Sequence, residues 1–222
     1  MGTEKSEEFY DNKFTHENDY HEHYKDSWYF VHWTQIIKYL KRFNEPKILE
    51  VGCGTGQLAE YLFDEGYKNY VGFDFSKKAI EIAQKKTNFN FFVGNALDPS
   101  SFKIDYDFII CTEVLEHIKE DFKVIENIKI GTNIIFSIPN FDEVSHVRWF
   151  LSERQIKKRY YRLINIKNIT RIGNIYIVLG ERDNFAPNIV QKILASREEI
   201  SFESFTKRFK HRIKNMLKSK AI

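Results

Sequence analysis

Along the centre of the chain, short runs of consecutive apolar residues alternate with segments whose apolar residues recur every three or four positions. PKILEVG (46–52), NYVGFD (69–74), NFNFFVG (88–94), YDFIIC (106–111) and TNIIFSIP (132–139) are of the first kind, as expected of strands buried on both faces. Between them, GQLAEYLFDEG carries Leu58 and Leu62 at helical spacing and stops at Gly66, while KKAIEIAQKK sets Ala79, Ile80 and Ala83 on one face behind Ser76 as N-cap. EVLEHIKEDFKVIENI repeats the pattern with Val114, Leu115, Ile118, Phe122 and Ile125, which predicts a helix beginning directly after the fourth strand. A further helix is expected near 152–160, then strands at LINIKNI (163–169) and NIYIVLG (174–180), with RIGN turning the chain into an antiparallel hairpin. Repeated strand–helix–strand units predict an α/β fold: a seven-stranded, mostly parallel sheet with helices on both faces and an antiparallel last strand. Before it, Tyr24, Trp28, Val31, Gln35 and Ile36, Ile37, Leu40 keep helical spacing, so the chain divides into a helical cap at 1–45, a sheet domain at 46–185 and an extension at 186–222.

Composition adds limits. With 222 residues, 42% hydrophobic and 16% aromatic, the chain has one domain's worth of core and none of the signature of disorder. Two cysteines, Cys53 and Cys111, build no disulfide framework and suit a reduced compartment. No run approaches the roughly 20 apolar residues of a membrane span, and the polar start MGTEKSEEFYDNKF does not read as a signal peptide. The expected location is cytoplasmic. The net charge of +3 conceals a division: residues 205–222 hold seven Lys or Arg and no Asp or Glu, leaving the rest at −4. In the same stretch Phe202, Phe205, Phe209, Ile213 and Leu217 recur every three or four positions, which predicts a basic amphipathic helix. Such a helix suits peripheral contact with an anionic membrane, a partner, or packing on the domain with its basic face solvated. The mildly acidic remainder argues against nucleic acid as a partner.

The segment richest in chemistry is LEVGCGTG (49–56), which leaves the first strand and enters a helix. Gly52, Gly54 and Gly56 permit a tight turn and a close backbone approach to a ligand. The dinucleotide fingerprint G-x-G-x-x-G is not met, because residue 57 is Gln and the third glycine comes one position early. Glu50, Gly52, Cys53, Gly54 and Gly56 instead match the first motif of the class I S-adenosylmethionine-dependent methyltransferases, which the chain resembles over about 46–150 by motif and to about 180 by order of elements. The resemblance implies the Rossmann-like fold and S-adenosyl-L-methionine as cofactor. It further implies that Asp74, ending the second strand, takes the ribose hydroxyls and that Phe75 packs on the adenine. Asn95, where the family commonly has aspartate, and Ala96 would read the adenine edge, with Asp98 close by. Thr112 and Glu113 would pass under the methionine part. Singly, each residue has a structural reading as turn, cap or loop; their succession at strand ends, where open parallel sheets bind ligands, carries the reading.

Methyl transfer from a sulfonium is an in-line displacement that needs positioning, water exclusion and, for a hydroxyl acceptor, a base. The candidate bases are His117 and His146. In PNFDEVSHVRWF, Asn140, Arg148 and Trp149 are candidates for contact with a polar or anionic acceptor. Glu113, Glu116 and His117 fall at i, i+3 and i+4, and with His146 they resemble the E-x-x-E-H plus distant His of small-RNA terminal 2′-O-methyltransferases, which hold a divalent metal there. The same EVLEH string occurs in metal-free relatives, and no metal is expected here. His16, His21 and His23 cluster on a polar segment and are expected in solvent. The leading expectation is methyl transfer to a small-molecule or glycan acceptor at oxygen; the alternatives are a metal-dependent RNA 2′-O-methyltransferase and a non-catalytic S-adenosylmethionine-binding module.

Overall fold

The computed structural model describes residues 2–183; the amphipathic segment expected within 186–222 lies outside the described residues. Seven strands form one sheet: β1 (Ile48–Val51), β2 (Tyr70–Asp74), β3 (Asn90–Val93), β4 (Phe108–Cys111), β5 (Asn133–Pro139), β6 (Ile164–Ile172) and β7 (Ile175–Arg182), in the order β3-β2-β1-β4-β5-β7-β6. The first five pair in parallel, and β7 runs antiparallel to both β5 and β6. Strand order reverses between β1 and β4, so their C-terminal ends diverge and open a crevice. Gly173, at φ 56°, turns the β6–β7 hairpin.

Side chains alternate across the sheet and build two cores. On one face Ile48, Phe108, Ile110 and Ile135 pack with Leu58 and Leu62 of α3 (Gln57–Asp64), Ile80 and Ala83 of α4 (Lys77–Ala83), and Ile36, Ile37 and Leu40 of α2 (Phe30–Leu40). On the other, Leu49, Val51, Ile109 and Phe136 pack with Val124 and Ile125 of α5 (Asp121–Glu126) and Ile156 and Tyr160 of α6 (Glu153–Tyr160). Burial on both faces explains why β1 and β4 read as continuous apolar runs. Ser76 caps α4 as expected, its hydroxyl accepting from the Ala79 N–H at 3.0 Å.

Three expectations need correction. The helix expected from Val114 is only α5; residues 112–120 form turns, with Glu113 at φ 55°. A left-handed residue cannot sit within a right-handed helix, and Phe122, read as part of the apolar stripe, is 40% exposed. The Tyr24–Trp28–Val31 stripe is no buried helix face either: helix α2 starts at Phe30, and Trp28 and Val31 are exposed. Finally, a helix stands where only a polar start was read: α1 (Glu7–His16), whose one buried side chain is Phe14. Among the described residues, no helix is long and apolar enough to cross a membrane.

Candidate active site

A cavity of about 580 Å³ opens over the C-terminal ends of β1, β2 and β4. Its floor is the turn between β1 and α3. Gly52, Gly54 and Gly56 have φ of 71°, 51° and 79°, a region that L side chains enter at a cost of about 1–2 kcal/mol. Space excludes side chains as well: a Cβ at Gly52 would collide with Cγ2 of Val114, and one at Gly56 would lie 3.0 Å from Cβ of Ala83. Gly56 does not line the cavity; it lets α3 start against α4.

Asp74 locks this turn to β2. One carboxylate oxygen accepts from the Gly54 N–H at 3.0 Å and the other from the Ser76 N–H at 2.8 Å. A carboxylate offers about four acceptor positions, so two further donors can be taken. Burial lifts its carboxyl to about 6, although the backbone N–H groups pull the other way. Phe75, Asn95 and Ala96 follow along the same wall, but the Asn95 side-chain oxygen already accepts from the Leu97 N–H at 2.8 Å. Asp98 lies outside this cavity and caps a 3₁₀ turn through Ser100.

Beyond β4, Thr112 and Glu113 continue the wall. Ser137 of β5 accepts from the Glu113 N–H and donates to Glu113 Oε1, both at 2.7 Å, which holds the left-handed turn. Here the two chain-distant histidines meet, with ring centroids 5.0 Å apart. Nδ1 of His117 lies 3.1 Å from the Ser145 carbonyl and Nδ1 of His146 3.2 Å from that of Phe141. A carbonyl only accepts, so each Nδ1 carries a proton, and Nε2 of His146 lies 3.7 Å from the Glu143 carboxylate. Burial depresses His117 to about 4 and keeps it neutral. Glu116 is fully buried, and neither of its carboxylate oxygens has a hydrogen-bond partner; burial and nearby Glu113 push its carboxyl up. Glu116, His117 and His146 each offer a ligand atom within 4.8 Å of the others.

The roof comes from α1 and the chain after it. Tyr10, Lys13 and Phe14 face the cavity, joined by Tyr20, Tyr29, Trp33 and Phe141. The helix is pinned on both sides: Asp11 accepts from the Ser76 hydroxyl and the Lys78 N–H, while the Gly2 and Thr3 N–H groups donate to the carbonyls of His146 and Val144. Sequence periodicity missed this roof because α1 buries so little. Its signal was local: Ser6 as N-cap, Glu7 and Glu8 in the first turn, Lys13 and His16 in the last.

Of the residues singled out in the sequence, Glu50, Gly52, Cys53, Gly54, Asp74, Phe75, Asn95, Ala96, Thr112, Glu113, His117 and His146 line this one cavity. Asn140, Arg148 and Trp149 do not. The Arg148 guanidinium donates to the carbonyls of Leu115, Ile118 and Lys119 and lies 3.4 Å from Asp121; with five donors it satisfies the carbonyls of the 112–120 turns rather than an acceptor. The Asn140 amide faces Asn174 and Arg171 of the β6–β7 hairpin, and Trp149 is half-buried off the cavity. His16, His21 and His23 are exposed as expected.

The chain is similar to the ubiquinone biosynthesis O-methyltransferase of Hydrogenovibrio crunogenus, 23% identical over 188 residues that span 76% of this chain and 78% of that one. It is 27% identical over 136 residues to the enzyme of the same description from Vibrio parahaemolyticus, covering 57% of this chain and 52% of the relative, so it spans about half of that protein's length. The fold is shared with the magnesium protoporphyrin IX methyltransferase of Synechocystis PCC 6803, solved with bound S-adenosylmethionine: TM-score 0.53, 20% identity, 69% of this chain and 79% of that one. The family described as Methyltransferase domain matches residues 22–172. Over residues 22–172 the chain thus belongs to the methyltransferase domain family, and it is a class I, S-adenosylmethionine-dependent methyltransferase.

Proposed function

We propose that this chain transfers the methyl group of S-adenosylmethionine to a hydroxyl of a small-molecule acceptor. The observation that carries the reading is the continuity of one cavity from Asp74, at the glycine-rich turn, to the paired rings of His117 and His146 under an aromatic roof. In this reading Glu50, Gly52, Cys53 and Gly54 flank the methionine part, with Thr112 and Glu113 on its other side. Gly56 shapes the turn from behind. Asp74 accepts from the two ribose hydroxyls, Phe75 packs on the adenine, and the backbone of Asn95 and Ala96 reads its edge. The acceptor lies between Tyr20, Tyr29, Trp33 and Phe141, whose flat apolar faces suit a ring and exclude water. The Nε2 lone pair of His146 or His117 receives the hydroxyl proton as the oxygen attacks. The relatives named as O-methyltransferases favour oxygen as the atom methylated. Residues 1–45 serve as the cap of this site and 46–185 as its cofactor-binding domain.

The test is incubation of the full chain with isotopically labelled S-adenosylmethionine and separated pools of small metabolites, glycans and RNA. Label in a small hydroxylated compound is expected; label confined to RNA, or cofactor binding with no transfer to any pool, refutes the reading.

A second reading is favoured by one observation, the buried Glu116 carboxylate that has no partner. Uncompensated buried carboxylates are costly, and with one ring nitrogen each of His117 and His146 it forms a donor set suited to a divalent cation. Backbone carbonyls at both Nδ1 atoms orient the rings as second partners do around metals. A cation held there would lower the pKa of an acceptor hydroxyl, and the two histidines would then be ligands rather than bases. Calorimetric titration with Mg²⁺, Mn²⁺ and Zn²⁺ decides: heat of binding lost in Glu116→Gln supports the cation, and turnover unchanged by EDTA refutes it.

A further inference from the structure

Glu50 and Tyr70 form a buried pair beneath the glycine-rich turn. Strands β1 and β2 run parallel with Glu50 opposite Gly72, and Tyr70 lies two residues earlier on the same face of β2. Because residue 72 has no side chain, the phenol of Tyr70 lies along the strand past it. A Cβ at Gly72 would stand 2.7 Å from the Tyr70 hydroxyl and 2.9 Å from Cβ of Cys53. The hydroxyl thereby reaches Glu50 and donates to Oε2. Both residues are 3% exposed, yet Glu50 forms part of the cavity wall and Tyr70 does not. The titratable groups around Glu50 are Tyr70 and Asp74 of β2, Cys53 of the turn and Cys111 at the end of β4; among the described residues this set holds no cation. Burial raises the Glu50 carboxyl to about 8, with the Tyr70 hydrogen bond opposing and Asp74 adding to it. Near neutral pH, Glu50 therefore keeps its proton in the absence of a cation beside it.

We propose that Tyr70 is a positioning residue that, through Glu50, makes the cavity distinguish the cationic, methyl-bearing cofactor from its demethylated product. The inference rests on reading the cavity as the S-adenosylmethionine site. With ribose at Asp74 and adenine at Asn95 and Ala96, the ends of β1 and β4 remain for the methionine part, which carries a sulfonium and an ammonium. A cation arriving beside Glu50 favours the carboxylate; the proton leaves to solvent, and the Tyr70 hydroxyl stays as donor to the anion. In the transfer the S–CH₃ bond breaks with its electron pair left on sulfur, a bond forms from the methyl carbon to the acceptor oxygen, and the hydroxyl proton passes to the histidine base. The sulfur is now neutral and its share of the attraction for Glu50 is gone; with only the ammonium that cofactor and product have in common, the equilibrium of Glu50 moves back toward the protonated form, the proton coming from solvent. Product is then held less tightly than cofactor.

The experiment is isothermal titration calorimetry of S-adenosylmethionine and S-adenosylhomocysteine with the full chain, Glu50→Gln and Tyr70→Phe, at pH of about 6 and about 9. The cofactor's own α-amino group titrates near 8 and acts on all three proteins, so Glu50→Gln is the reference. Between the two pH values, the preference of the native protein for the methylated cofactor is expected to grow roughly 10- to 100-fold more than that of Glu50→Gln, one displaced pKa unit being tenfold. Tyr70→Phe, without the donor to the carboxylate, shifts this rise to higher pH. Should Tyr70→Phe fail to fold, Gly72→Ala, whose Cβ displaces the same hydroxyl, replaces it. Superimposable pH profiles for the native protein and Glu50→Gln, or for the native protein and the position-70 or position-72 variant, overturn the proposal. Failure of the native protein to bind either compound would instead overturn the reading of the cavity itself.

Discussion

Replacement of Asp74 by Asn changes one oxygen to a nitrogen at the point where the glycine-rich turn, β2 and the ribose position meet. Both carboxylate oxygens already accept backbone N–H groups, from Gly54 at 3.0 Å and Ser76 at 2.8 Å. An amide keeps one acceptor and turns two donors toward the other N–H. Hydrogen bonds to a charged acceptor contribute about 1.5–3 kcal/mol each. Losing one ribose contact and weakening the second should remove about 2–4 kcal/mol of cofactor binding, roughly a 30- to 1,000-fold rise in Kd. The unliganded fold should respond far less, because two effects oppose. At pH 8 the buried carboxylate, its carboxyl lifted from 3.8 to about 6, destabilises the fold by about 3 kcal/mol, which the amide relieves. The N–H left without its acceptor costs about 1–3 kcal/mol. Calorimetric titration with S-adenosylmethionine, set beside a thermal melt, separates the two. A Kd within threefold of native refutes the placement of the ribose. A collapse of the melting temperature by more than about 10 °C, which at roughly 2–4 °C per kcal/mol exceeds the estimated imbalance, refutes the stability argument.

Three other outcomes follow from the same geometry. Gly52→Ala should destabilise the fold by at least about 2 kcal/mol more than Gly66→Ala, since both have positive φ but only Gly52 has an atom, Val114 Cγ2, within 4 Å of the added carbon; equal melting temperatures for the two variants would sink this. Asp121, 1% exposed, accepts from Arg159 at 2.7 and 2.6 Å and from the Tyr160 hydroxyl at 2.9 Å. Its replacement by Ala should cost about 3 kcal/mol, discounted for the partial exposure of Arg159, and lower the melting temperature by roughly 6–12 °C while leaving the cofactor affinity of the folded protein unchanged. Stability of the unliganded protein should fall as pH rises. The folded-state carboxyls of Glu50, at about 8, and Asp74, at about 6, lie above their ordinary values, so their contribution is full below about pH 4 and is lost as pH climbs through 6 and 8. Denaturant midpoints at pH 6 and pH 9 measure this, and Glu50→Gln should flatten the upper part; a native protein more stable at pH 9 than at pH 6 contradicts the assignment.

Local sequence fixed what depends on near neighbours. Apolar runs marked β1, β2, β4, β5 and β7 because a strand buried on both faces has few polar positions to spare, whereas the edge strands β3 and β6, exposed in part, were marked by β-favouring residues between turn signals. Ser76 announced α4, and three glycines in five residues announced a turn that no side chain could enter. Asp74 and Glu50 were singled out by their match to the family's motifs, and both line the cavity because the ends of successive parallel strands lie side by side. What failed was reasoning from periodicity where backbone strain or long-range packing intervenes. The 112–120 segment carries a helical stripe, yet its Glu113 is held left-handed by Ser137 of β5. Arg148 has the look of an anion-binding residue, yet it satisfies carbonyls that the missing helix leaves open. Only tertiary structure brings His146 to within reach of Glu116 and His117, lays the sparsely buried α1 over the cavity, and passes Tyr70 across Gly72 to Glu50. In each case the contact joins residues on different elements, and its partner is selected by three-dimensional packing, which no window along one chain contains.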